Sequence, residues 1–211
     1  MHKLTVCLFA LALGGTCLAQ QWELGGAGGI GIYKNLTVTR GSQSVTAGFK
    51  EGVAFSAFAA QNMYQHLGGQ FRYTFQFNDL KLSGNGQEAS FSALSHAVHY
   101  DLMLYGTRRE AAVRPFVAAG GGIKVYRGTG KEQETQPLGQ FALLSKTQQV
   151  EPLISVGGGV KVKLGRRAFV YVEVRDYITP TPKNVIAPFT GSKISGWVHD
   201  FMPMVAISIG F

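Results

Sequence analysis

The segment "SFSALSHAVHYD" contains the residue types of a nucleophilic catalytic site, namely hydroxyls, histidines and a carboxylate. In a strand, alternate side chains share a face, so Ser95, His99 and Asp101 would point to the same side. His99 and Asp101 could touch, but Ser95 lies about 13 Å from His99 at about 3.3 Å per residue. Because a nucleophile must reach its base by a hydrogen bond, a Ser or Tyr of a neighbouring strand would have to replace Ser95. The segment does not predict an enzyme.

Two patterns that suggest ligand binding are equally weak. His96 faces away from His99, so this pair does not predict a metal site. "GAGGIG", residues 26–31, matches the dinucleotide-binding glycine pattern, which requires a strand before it and a helix after it. The following "IYKNLTVTR" has no helical periodicity. We therefore predict no catalytic residue, no metal and no cofactor.

The elements that position these side chains are strands, because alternation with period two recurs along the whole chain. Gly accounts for 28 of 211 residues and charged residues for 15%, which suits a β protein. Eight strands are predicted, at 22–33, 52–60, 67–78, 90–105, 114–127, 152–164, 169–178 and 199–211. Long connections rich in Gly, Ser, Thr and Pro alternate with short ones, which puts every short turn at one end. This layout predicts an all-β fold, an eight-stranded antiparallel up-and-down transmembrane β-barrel.

The two faces of these strands differ in polarity. In "LGGQFRYTFQFND", Phe71, Tyr73, Phe75 and Phe77 alternate with Gln, Arg and Thr residues. A soluble, lipocalin-like carrier would turn the apolar face inward, and eight strands leave room inside for side chains only. However, the polar face is rich in glycine, and neither face has the charge density of a surface in water. The pattern favours apolar side chains towards lipid and polar ones in the lumen.

The predicted lumen contains a set of ionisable residues at alternate positions. They are Glu23, Arg72, Asp101, Lys124, Lys161, Lys163, Glu173 and Arg175, accompanied by Tyr33, His99, Tyr126, Tyr171 and Tyr177. Five basic groups face three acidic ones, and an unpaired buried charge costs several kcal/mol. We expect Glu173 and Asp101 to lie among the arginines and lysines. The network could be a plug that closes the barrel, or the wall of a narrow path for ions or small anions.

The N-terminus has the pattern of a secretory signal peptide. Lys3 precedes the apolar run 4–13, and Cys17-Leu18-Ala19 ends the segment with a small-x-small cleavage site. We predict a signal peptide at 1–19 and a barrel domain at 20–211. Both cysteines of the chain fall within the predicted leader, so the mature protein would have no disulfide. Without Lys3 its net charge would be +7, which favours anionic lipid or saccharide partners rather than nucleic acid.

The C-terminal segment "PMVAISIGF" places Val205, Ile207, Ile209 and Phe211 on one strand face. A closed barrel must pair its last strand with its first, since no strand edge can face lipid. This segment, with "PFVAAGGGIKVY" and "FVYVEVRDY", resembles the OmpA-like and OmpX-like family of small eight-stranded outer-membrane barrels. The resemblance implies a bacterial outer-membrane location, a monomer, and recognition of the four alternating residues by the barrel-assembly machinery. The chain stops at the barrel, so the family's peptidoglycan-binding role is not implied.

For function, the sequence predicts a structural or surface-interaction barrel. The third and fourth long loops carry lysines beside apolar residues, namely Lys131, Lys146, Lys183 and Lys193 with Phe141, Leu143, Leu144, Ile186 and Phe189. Such a surface could bind lipopolysaccharide or another protein. A narrow passive pore and a soluble carrier are the alternatives.

Overall fold

A computed structural model describes residues 22–131 and 135–211 of the chain. Its strands are β1 (Trp22–Tyr33), β2 (Leu36–Arg40), β3 (Gln43–Phe49), β4 (Gly52–Asn62), β5 (Leu67–Phe77), β6 (Leu80–Gly84), β7 (Gln87–Phe91), β8 (Ala93–Tyr105), β9 (Val113–Gly128), β10 (Ala142–Leu144), β11 (Gln148–Lys163), β12 (Ala168–Thr179), β13 (Ile186–Pro188), β14 (Ser192–Ser195) and β15 (Val198–Gly210). Among these residues, no helix is long and apolar enough to cross a membrane. The predicted signal peptide, with Cys7 and Cys17, lies outside the described residues.

Eight long strands form a closed antiparallel barrel in the order β1-β15-β12-β11-β9-β8-β5-β4. Each strand pairs with its chain neighbours within the barrel, and β15 closes it against β1. The closure extends to the last residue, because the backbone N–H of Phe211 donates to the carbonyl of Trp22 at 3.1 Å. The predicted eight-stranded up-and-down fold is confirmed. The largest difference is that β11 begins four residues earlier than predicted, at Gln148.

The barrel exterior is an apolar belt. On β12 and β15 most outward side chains are apolar, and Val172, Val174 and Ile207 are each more than half exposed. The exception is Asp176, which lies 2.8 Å from the outward His199. From Phe201 to Phe211 the stripe covers ten residue steps, about 25 Å of height for a strand that is tilted by about 40°. That height matches the hydrocarbon region that outer-membrane barrels cross. The belt excludes the soluble carrier, whose exterior would have to be polar.

Beyond the long-loop end of the barrel, the long connections fold into further strands. β14, β2, β3, β6 and β7 form a five-stranded sheet in that order, and β10 pairs with β13. The order repeats that of β15, β1, β4, β5 and β8 below, so the sheet continues part of the barrel wall beyond the membrane. We call these seven strands the platform. The sequence did not predict these strands, because they are three to seven residues long and lie among turn-forming residues.

The polarity of the wall reverses between barrel and platform. In the platform the apolar side chains point inward and form one buried cluster, which includes Leu36, Val38, Leu80, Leu82 and Phe141. Thr37 and Thr39, which alternate with the buried residues of β2, are exposed. In β1 just below, Ile30 and Ile32 face outward. This reversal marks the boundary between lipid and water. In water a strand buries its apolar face, whereas in lipid it buries its polar face.

Candidate functional site

The middle of the lumen is occupied by a buried cluster of arginines and carboxylates. Arg72 donates to Glu173 at 2.5 Å, and Arg175 donates to the other oxygen of the same carboxylate at 3.0 Å. Arg175 also pairs with Asp101, and both guanidinium groups donate to the Gln70 side-chain oxygen at 3.0 and 2.8 Å. All five residues are 2% exposed or less. This central cluster satisfies each charge by an opposite charge, as buried ions require.

His99 joins the central cluster to a chain of hydroxyl groups. Its Nδ1 lies 3.0 Å from Asp101 and its Nε2 lies 2.7 Å from the Tyr177 hydroxyl. Tyr177 in turn contacts Thr74 at 3.2 Å, and Thr74 contacts Ser56 at 2.8 Å. A cross-strand Tyr thus occupies the place that a nucleophile would need. Both His99 and Tyr177 are fully buried, so a substrate could not reach them without displacing the lumen contents.

Two residues considered for chemistry lie elsewhere. Ser95 also points into the lumen, but its Oγ has no hydrogen-bond partner among the described residues. His96 points outward, where its Nδ1 lies 2.7 Å from the Tyr73 hydroxyl. Within residues 22–131 and 135–211, no group of three His, Cys, Asp or Glu residues could hold a metal ion.

The short-turn end of the lumen contains a second cluster around Glu23. Lys161 and Asn62 donate to one of its carboxylate oxygens, the latter at 2.8 Å. Tyr171 donates to the other oxygen at 2.6 Å, and Ser208 does so at 2.9 Å. This lower cluster ties strands from both sides of the barrel to the first strand.

A third cluster lies at the mouth beneath the platform. Lys124 pairs with Asp200 at 2.5 Å and donates to the Tyr33 hydroxyl at 3.2 Å. Gln76 accepts a hydrogen bond from Tyr33 at 2.7 Å. Gly31 makes room for this upper cluster, because a Cβ there would lie 1.7 Å from the Gln76 side-chain nitrogen. A side chain at position 31 would therefore have to displace the Gln76 amide from this cluster.

The structure buries seven of the eight predicted lumen residues and leaves one outside. Glu23, Arg72, Asp101, Lys124, Lys161, Glu173 and Arg175 are all at most 2% exposed. Lys163 is exposed, because β11 ends there and its last side chain passes beyond the lumen. We expected lysines beside Glu173 and Asp101. Instead, Lys124 and Lys161 each pair with a different carboxylate.

The expected cationic excess of the lumen is largely absent. Sequence reasoning missed Asp200, although its alternation with the inward Met202 and Met204 pointed to the lumen. With Asp200 included and Lys163 outside, four carboxylates face four paired cations in the three clusters. Arg114, also missed, is buried near the short turns and donates to Asn62 at 3.3 Å. A nearly balanced set of ion pairs is suited to filling the lumen rather than to attracting anions.

On the platform, the predicted contact surface divides into a buried and an exposed part. Phe141, Leu144 and Ile186 are buried in the apolar cluster, which corrects their assignment to the surface. Leu143 and Phe189 remain 41% and 43% exposed. The sequence did not separate the two groups, because it did not predict that these loops form strands with an inner face.

Polar contacts stabilise the platform surface. The Arg40 guanidinium lies 5.1 Å from the Phe189 ring centroid and donates to the Gln140 carbonyl at 2.7 Å. Lys50 pairs with Glu88 at 3.1 Å. Its hydrogen bond holds the pKa of the Glu88 carboxyl below its usual value.

The four alternating residues of the predicted assembly signal lie on the lipid-facing side of β15 and its end. Val205, Ile207, Ile209 and Phe211 are each more than half exposed. They form a continuous apolar stripe next to the seam where the barrel closes. Their recognition by the assembly machinery stays a prediction.

Comparison with solved structures gives the same fold. The outer-membrane protein OprG from Pseudomonas aeruginosa matches with a TM-score of 0.60 at 10% identity, over 92% of this chain and 97% of that chain. Neisserial surface protein A (NspA) matches with a TM-score of 0.53 at 11% identity, over 90% and 96%. The sequence matches no protein-family model and no curated protein. At such identities the likeness concerns the fold alone. The apolar belt indicates that the barrel is surrounded by lipid. The chain has the fold of the small eight-stranded outer-membrane barrels, and its belt locates it in the bacterial outer membrane.

Proposed function

We propose that this protein is a non-conducting outer-membrane barrel whose extracellular platform is its working surface. The observation that supports the proposal best is the buried core of the platform, which gives the long loops a fixed shape. Loops without a function in binding do not need such a core, since water satisfies their backbone groups. The barrel below then acts as the anchor.

The contents of the lumen support the absence of conduction. The largest fully buried side chains include Arg72, Arg175, Tyr171 and Tyr177, which project into the barrel at successive levels. Eight strands leave space for side chains and little more. An ion would have to break buried pairs to pass, so the pore is the less favoured function. The buried position of His99 and Tyr177 likewise favours a protein that is not an enzyme.

The partner that suits the platform is the lipopolysaccharide that surrounds an outer-membrane barrel. Arg40 and Lys193 offer cationic groups for its phosphates, and Phe189 offers an apolar contact beside Arg40. We propose that the protein acts as a monomer and is inserted by the barrel-assembly machinery.

The test combines conduction and binding on the purified, refolded protein. In planar bilayers the wild type should show no stable conductance. In detergent micelles it should bind purified lipopolysaccharide, and the variant Arg40→Gln/Phe189→Ser should bind it more weakly. The matched control is Lys50→Gln/Leu143→Ser, which removes a cation and an exposed apolar group elsewhere on the platform. A stable conductance, or equal binding by both variants and the wild type, would contradict the proposal.

A further inference from the structure

Five exposed or half-exposed cations cluster on two neighbouring short turns at the end of the barrel opposite the platform. The turn between β8 and β9 carries Arg108 and Arg109, and the turn between β11 and β12 carries Arg166 and Arg167. Lys163 precedes the second turn. The turns lie side by side, because β9 pairs with β11 and the backbone N–H of Lys163 donates to the carbonyl of Ala112 at 2.8 Å. We call these five residues the turn cations.

The turn cations are not neutralised by the protein. Across residues 22–131 and 135–211, none of their side chains makes a hydrogen bond or an ion pair. The one carboxylate on the two turns is that of Glu110, which is exposed and also unpaired. Glu23, at the same end, is buried and bound to Lys161. The α-carboxylate of Phe211 also lies near the second turn, since the backbone N–H of Gly210 donates to the carbonyl of Arg167 at 2.7 Å, but within the described residues it forms no ion pair. A concentration of like charge without internal partners indicates an anionic partner outside the chain.

The position of the turn cations relative to the apolar belt identifies that partner. Val113 pairs with Val162 where β9 and β11 begin to face lipid, and Val113 is 51% exposed. Leu164, between Lys163 and the two arginines of the second turn, is 65% exposed. An exposed leucine among cations, next to the edge of the belt, lies where hydrocarbon meets the phosphate layer.

We propose that the turn cations form a binding surface for the phosphates of anionic phospholipids in the inner leaflet of the outer membrane. Four of the five cations are arginines, whose planar guanidinium groups bind phosphate oxygens in pairs. The apolar side chains of Leu164 and Val113 would contact the acyl chains beside the same headgroup. A polymer with carboxylate groups in the periplasm could pair with the cations but would make no contact with these apolar side chains. An anionic phospholipid makes both kinds of contact and is therefore the favoured partner. This inference does not depend on the function of the platform.

The test is the retention of lipids by the refolded protein. The protein is purified from micelles that contain equal amounts of phosphatidylglycerol and phosphatidylcholine, and the bound lipids are counted by native mass spectrometry. The wild type should retain phosphatidylglycerol preferentially. Arg108→Gln/Arg109→Gln/Arg166→Gln/Arg167→Gln should lose the preference, with about fivefold weaker binding for each cation removed. A heat-dependent shift in gel mobility checks that the variant is folded.

The control removes the same charge from the other end of the protein. Lys34→Gln/Lys131→Gln/Lys146→Gln/Lys183→Gln alters four exposed lysines on the platform side. It should retain phosphatidylglycerol as the wild type does. Equal losses in both variants would show that only net charge matters, and an absence of preference in the wild type would refute the site. Binding to peptidoglycan is tested by sedimentation of the protein with the purified polymer. If the wild type sediments with it, the turn variant does not, and neither protein prefers phosphatidylglycerol, then the partner is the polymer and not lipid.

Discussion

Replacing Glu173 by Gln should destabilise the barrel far more than any change to a surface ion pair. The central cluster holds two guanidinium groups against two carboxylates. With Glu173 neutral, Arg175 keeps Asp101, whereas Arg72 retains no carboxylate and has Gln70 as its main partner. Removing one partner of a buried ion pair costs about 3–5 kcal/mol, because the remaining charge stays away from water. We expect the free energy of unfolding to fall by about that amount.

Urea unfolding of the refolded protein in detergent micelles measures this loss, with tryptophan fluorescence as the signal. The double variant Glu173→Gln/Arg72→Gln should recover much of the stability, because it removes the unpaired charge. Glu88→Gln is the control, since Glu88 is paired with Lys50 on the exposed surface and should matter little. If Glu173→Gln were as stable as Glu88→Gln, or if the double variant were less stable than the single one, the ion pairs would not hold the lumen as described.

Three further outcomes are expected. Gly31→Val should displace Gln76 and weaken the upper cluster, so the midpoint temperature of the heat-dependent gel shift should fall. An unchanged midpoint would contradict the close approach of Gly31 to the Gln76 side chain. Phe141→Ala should loosen the platform by about 3–5 kcal/mol and leave the barrel intact. Limited proteolysis should then cut the platform faster without altering the gel shift, and equally slow cleavage would count against a buried platform core. Phe211→Ser should reduce the amount of protein assembled in the outer membrane, measured by fractionation, and a normal amount would refute its role in assembly.

The barrel strands were predictable because each presents one face to lipid and one to the lumen over its whole length. Alternation is strict in β5 and is broken in β12 only at the outward Asp176, so both their bounds and their inward residues were correct within a residue or two. The same rule applied to β15 would have found Asp200. The pairing of Lys161 with Glu23 could not be predicted, because the stagger of the strands decides which lumen residues share a level.

The platform was missed for a different physical reason. Leu36 and Val38 alternate as clearly as any pair in the barrel, but β2 has only five residues. It is followed by a tight turn, in which Gly41 has a φ of 59°. A short strand in a Gly- and Ser-rich segment has the composition of a loop. Its burial depends on partners from other loops, which the sequence does not bring together.

The outer wall of the protein faces lipid along the barrel and water along the platform. Single cysteines introduced at residues 30–39 can carry nitroxide labels, since the two natural cysteines lie in the predicted signal peptide. In lipid vesicles, labels at Ile30 and Ile32 should collide with dissolved oxygen and be protected from a water-soluble relaxation agent. Labels at Thr37 and Thr39 should show the opposite pattern, with the change between residues 32 and 37. Free access of the aqueous agent to labels at both Ile30 and Ile32 would contradict the account.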